Sequence, residues 1–104
     1  MNYLTFRIEA IATHYFQGES AWAKEQLQSY CEYMSKYISD KTTLESYERF
    51  CLAILKLGKT SKDKFTQAIE LGKYDYRDLL VAAGFGNSTT IHNDWAEKII
   101  KKGT

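Results

Sequence analysis

The 104-residue chain contains no proline, two cysteines and two histidines, and no apolar run near the ~20 residues of a membrane-spanning helix. Each scarcity excludes something. Proline makes up ~5% of an average protein, so its absence leaves little room for long extended loops. The first residues, Met1-Asn2-Tyr3-Leu4-Thr5-Phe6-Arg7, lack a basic stretch and a cleavable apolar one. Export is therefore not expected, and the chain reads as cytoplasmic. A cytoplasmic chain does not rely on a structural disulfide. Gly-x-Gly-x-x-Gly, P-loop, His-Glu-x-x-His, EF-hand and Cys-x-x-Cys patterns are all missing. No cofactor and no metal is implied, and an enzyme is the less favoured reading.

Charge of one sign is missing as well. Fourteen basic residues face thirteen acidic ones, for a formal charge of +1. Dedicated nucleic-acid binders are usually strongly basic, so that class is disfavoured. Residues 1–52 sum to −2 and residues 53–104 to +3, a mild asymmetry that a solvated surface explains. Hydrophobic residues at 44% and charged ones at 26% are ordinary for a globular protein. A chain this long buries roughly 65% of the surface it exposes when unfolded, enough for one domain, residues 1–104.

What the sequence does contain is apolar spacing of three and four, the signature of amphipathic helices. Leu4, Ile8, Ile11, Ala12 and Tyr15 share one face, and Gln17-Gly18 ends that segment. Ser20 is placed as the N-cap of a second helix bearing Ala23, Leu27, Tyr30, Cys31, Met34, Tyr37 and Ile38. Thr42 and Glu45 have the spacing of a capping box. Behind them runs a third stripe, Leu44, Tyr47, Cys51, Ile54 and Leu55, with Gly58 as its left-handed stop. Thr60 and Asp63 open a fourth helix that Gly72 ends. Asp75 caps a fifth helix, with Asp78 in its first turn and a Schellman stop at Gly84-Phe85. Thr89 or Thr90 starts the last helix, which carries Ile91, Trp95, Ile99 and Ile100. No strand alternation or internal repeat is present. The expected fold is all-α: a single-domain antiparallel helical bundle of four to six helices with short loops. Three long helices should form an up-down-up core that three shorter ones close.

Candidate functional residues follow from this frame. Fifteen aromatics, eight of them tyrosine, exceed what a small core encloses. Tyrosine suits both a thin bundle and a recognition surface. Tyr30, Tyr33, Tyr37 and Tyr47 are the expected interaction surface, for a protein partner or a second copy. If helices two and three form a hairpin turning near residue 41, Cys31 and Cys51 lie level. They are then either a thiol pair with redox chemistry or two small core hydrophobes. With no further Cys or His at that level, a zinc site lacks ligands.

The alternative function is a small-ligand site or enzyme with a pocket between the last two helices, using Arg77, His92, Asp94 and Trp95. The competing readings there are an ion pair for Arg77 and local caps for the polar run. His14, near the end of the first helix, suits the helix dipole. Lys56, Lys59, Lys62 and Lys64 surround the turn between helices three and four, which makes weak nucleic-acid binding a third reading. No residue is assigned a catalytic role, and no membrane partner is expected.

The stretch Tyr74-Asp75-Tyr76-Arg77-Asp78-Leu79-Leu80-Val81-Ala82-Ala83-Gly84-Phe85-Gly86, followed by His92 and Trp95, resembles a group of small uncharacterised bacterial helical proteins. They share an Arg-Asp-Leu-Leu-Val-Ala-Ala-Gly-like segment near the C-terminus. The resemblance covers about a quarter of the chain. It implies a bacterial origin and a small helical protein, and it carries no activity or ligand with it.

Overall fold

A computed structural model describes residues 2–39, 41–86 and 88–102. Six helices run in the order α1 (Phe6–Tyr15), α2 (Ser20–Met34), α3 (Leu44–Gly58), α4 (Lys62–Tyr74), α5 (Tyr76–Ala82) and α6 (Ile91–Lys102). Among the described residues there is no strand. No described helix is long and apolar enough to cross a membrane. The all-α bundle is thus observed, and its Cα radius of gyration of 12.4 Å fits the ~13 Å of a compact domain of this length.

The helix ends follow local chemistry, in places one residue away from the expected position. The Thr5 hydroxyl accepts the Ile8 amide at the start of α1. Glu19, not Ser20, occupies the cap position of α2 and makes no capping bond, since its carboxylate pairs with Lys62 of α4 at 3.0 Å. At α3 the cap is Thr43, whose hydroxyl accepts the Ser46 amide. Thr42 lies one residue outside, so the Thr42–Glu45 box does not form. Ser61, not Thr60, caps α4. Asp75 ends α4 and caps α5 through the Arg77 amide. The stop after α5 is a full Schellman motif: the Phe85 amide donates to Leu80 O, the Gly84 amide to Val81 O, and Gly84 takes φ +81. Before α6, the Ser88 hydroxyl accepts the amides of Thr90 and Ile91.

Two glycines expected to stop helices instead let elements approach. Gly58 is still helical, and a Cβ there would sit 2.6 Å from the Phe65 Cα. The left-handed turn falls on Lys59 (φ 47). Gly72 lies inside α4, where a Cβ would meet the Tyr30 hydroxyl at 2.7 Å and Leu79 at 2.9 Å.

The expected up-down-up core is replaced by a hub. α3 packs against α1, α4, α5 and α6, while the broad contacts of α2 are with α1 and α4. Every residue from Phe50 to Leu55 is accordingly buried. A helix covered on several sides has no need of a single narrow stripe. The core is continuous from Ile8 and Ile11 through Leu27, Leu52, Ile54 and Phe65 to Leu79 and Phe85.

Candidate functional site

The turn that follows α2 and the junction of α4 with α5 face one another across a groove. Tyr33 and Tyr37, one helical turn apart, hold their rings 4.9 Å from each other. The chain keeps coiling past Met34, because the amides of Tyr37 and Ile38 both donate to Met34 O. Opposite them, Tyr74 and Tyr76 flank the capping residue Asp75. Tyr37 is 69% exposed and Tyr74 88% exposed. Cations grip the rings: Lys73 Nζ lies 5.0 Å from the centre of Tyr33, and the Arg77 guanidinium lies 5.8 Å from that of Tyr76. Tyr76 in turn leans on the buried Phe50 at 5.1 Å. Between the walls is a recess of about 390 Å³ with Met34 and Ile38 among its lining residues. A second recess of about 410 Å³ runs on toward Thr42, Ser46 and Arg49, and Tyr37, Ile38 and Tyr76 line both.

Of the four tyrosines expected at a surface, the structure places only two there. Tyr33 and Tyr37 line the groove. Tyr30 and Tyr47 are corrections: both are buried, Tyr30 under Gly72 and against the thiols, Tyr47 between Tyr3 and Phe50. Their positions on the α2 and α3 stripes explain this, since a stripe facing the core carries its tyrosines inward with it. Burial, then the nearby Cys51 and Cys31, pushes the Tyr30 hydroxyl far up from its ordinary value.

The pocket expected from Arg77, His92, Asp94 and Trp95 does not assemble. Arg77 lies on the tyrosine groove, Asp94 is exposed, and Trp95 packs between Tyr15 and Phe85. His92 is fully buried against the Phe85 ring, and neither ring nitrogen has a hydrogen-bond partner among the described residues. Its charged neighbours come from other helices. Glu48 of α3 accepts hydrogen bonds from Arg7 and from the Thr5 hydroxyl, and Arg7 also donates to Asn93. Burial lowers the His92 pKa, and the charges of Arg49 and Arg7 lower it further against Glu48 and Glu45. Burial pushes the Glu48 carboxyl up, but the bonds from Arg7 and Thr5 and the charge of Arg7 outweigh it, and the net shift is down. Arg7 and Glu48 carried no signal in the sequence, being 41 residues apart with no motif to join them.

Cys31 and Cys51 do meet, with Sγ atoms 3.4 Å apart in the core and no disulfide between them. Their contact and their burial push the Cys51 thiol well up, toward the inert neutral form. Among the described residues no group of three or more His, Cys, Asp or Glu side chains could hold a metal. The lysine turn is partly consumed by the fold. Lys56 donates to Ala83 O at 2.7 Å and lies over Phe85, and Lys62 pairs with Glu19 over the Trp22 ring. The groove combines open space, exposed aromatic area and accessible charge. Set against protein-family profiles, curated proteins and solved structures, the chain shows no match.

Proposed function

We propose that the protein is a non-enzymatic interaction module that binds a segment of another protein along the tyrosine groove. The observation that carries this reading is the exposure of Tyr37 and Tyr74 beside Tyr33 and Tyr76, which Lys73 and Arg77 hold in place. Tyrosine and arginine dominate binding hot spots, because a rigid ring buries much area for little lost freedom and its hydroxyl still bonds. A tyrosine kept in water by a fold with room for others in its core is consistent with that use. The free thiols suit a reducing compartment, in keeping with a cytoplasmic module.

The test is selection of random peptides displayed on phage against the wild-type protein and against a Tyr37→Ser/Tyr74→Ser variant of equal melting temperature. The expected result is a related set of peptides that binds the wild type and is weakened by about tenfold or more in the variant, the loss of two interface aromatics. No enrichment on the wild type, or equal enrichment on both, would sink the reading.

A further inference from the structure

The occupant of the groove is, we propose, an acidic segment of a protein partner, with an apolar anchor between aspartate or glutamate side chains. The inference rests on the groove being a docking site and adds the chemistry of what docks.

The two recesses share Tyr37, Ile38 and Tyr76, so they form one path. One end of that path carries Lys73 and Arg77, and the other carries Arg49. Asp75 is the one carboxylate among the described lining residues, and its Oδ1 accepts the Arg77 amide at 2.9 Å. The Asp75 charge acts on the Arg77 guanidinium, and the three lining cations still outnumber that one carboxylate. Arg77 is exposed with its guanidinium 5.8 Å from the centre of the Tyr76 ring, and an exposed guanidinium can meet a carboxylate bidentately. Lys73 has Glu70 at 3.8 Å, a one-turn surface pair that contributes little. Arg49 lines the second recess while donating to Gly86 O, and its Nε is buried without a hydrogen-bond partner among the described residues. Between these ends the floor is apolar, with Ile38 and Phe50. Charge, apolar floor, charge is the pattern that an acidic segment with a central anchor complements.

A single-stranded nucleic acid would also find rings and cations here. It is the weaker fit, because such binding draws on many phosphate contacts. The path offers three cations with a carboxylate on its rim, on a chain of net charge +1.

The experiment uses the peptides enriched on the wild-type protein, labelled with fluorescein and titrated by anisotropy beside a labelled oligothymidylate. Expected are peptides of net negative charge with an aromatic or aliphatic centre. Their Kd should rise by about tenfold or more in Lys73→Glu/Arg77→Glu and should also rise with salt. The milder Lys73→Gln/Arg77→Gln variant, expected to lose about threefold or more, serves if charge reversal disturbs folding. Enriched peptides that are neutral or basic, a Kd unmoved by both variants, or tighter binding of the oligothymidylate would overturn the proposal. Peptides that depend on Tyr37 and Tyr74 but carry no acid sink this inference alone. No enrichment at all sinks the docking site with it.

Discussion

Around His92 the charged groups face one another inside the molecule, whereas along the tyrosine groove charged and aromatic side chains face water. The contrast comes from what lies behind each residue. Glu48 is carried on α3, the helix that every element but α2 packs broadly against, so its carboxylate must find Arg7 and Thr5. Tyr37 and Tyr74 sit where helices run out, and no later element covers them. Polar chemistry on the hub is structural, and polar chemistry at the ends is available. Phe6, 78% exposed beside Ile99 and Ile100 on the α1–α6 side, shows that helix ends leave apolar area open elsewhere too.

The contrast can be broken most forcefully at Glu48. Glu48→Ala leaves the Arg7 guanidinium, only a quarter exposed, without its carboxylate and with Asn93 as its remaining acceptor among the described residues. It should cost about 2–3 kcal/mol, less than a fully buried pair because of that exposure, as read by urea unfolding. A loss below about 0.5 kcal/mol would place the pair among ordinary surface ion pairs.

The next effect is one of pH. A histidine held neutral by the fold takes its proton more readily once unfolded, so stability is complete above its ordinary pKa of 6.5 and declines as pH falls below it. Glu48, shifted down from 4.5, adds its own loss only below that value. Denaturant midpoints measured across this range should therefore begin to fall near pH 6.5 in the wild type. They should stay flat until nearer pH 4.5 in His92→Phe. Identical profiles would show that His92 does not titrate with unfolding.

Tyr33 stands between the two regions. Half-buried against the core and under Lys73, it should cost about 1 kcal/mol as Tyr33→Ala and also weaken binding. Tyr37→Ala closes the series. Its ring is mostly in water, so stability should move by less than about 0.5 kcal/mol while peptide binding falls. A drop of several degrees in melting temperature for Tyr37→Ala would place that ring in the core and erase the distinction.

The tyrosines also mark how far the chain could be read. Tyr33 lay off the apolar stripe of the second helix, and that excess aromatic was legible. Tyr30 and Tyr47 looked equivalent in sequence, yet the stripe that carried them turned inward. Nothing local distinguished Tyr74, Lys73 and Arg77 as the opposite wall, because they join Tyr33 and Tyr37 only when α4 lies against α2.

What the sequence by itself determined is local. The apolar period made helices, the Asp75 carboxylate capped α5, and Gly84 followed by Phe85 stopped it, since each depends on neighbours within about one turn. Even the level of Cys31 with Cys51 followed from counting residues about the turn near position 41. Which helix became the hub was decided by tertiary structure, and so were the polar groups driven inward and the rings left in water. Gly58 and Gly72 show why. Their small size matters not to the helices that contain them but to Phe65, Tyr30 and Leu79, which press on them from other elements. Such contacts depend on how whole helix faces fit together, a non-local packing that no short window of residues contains.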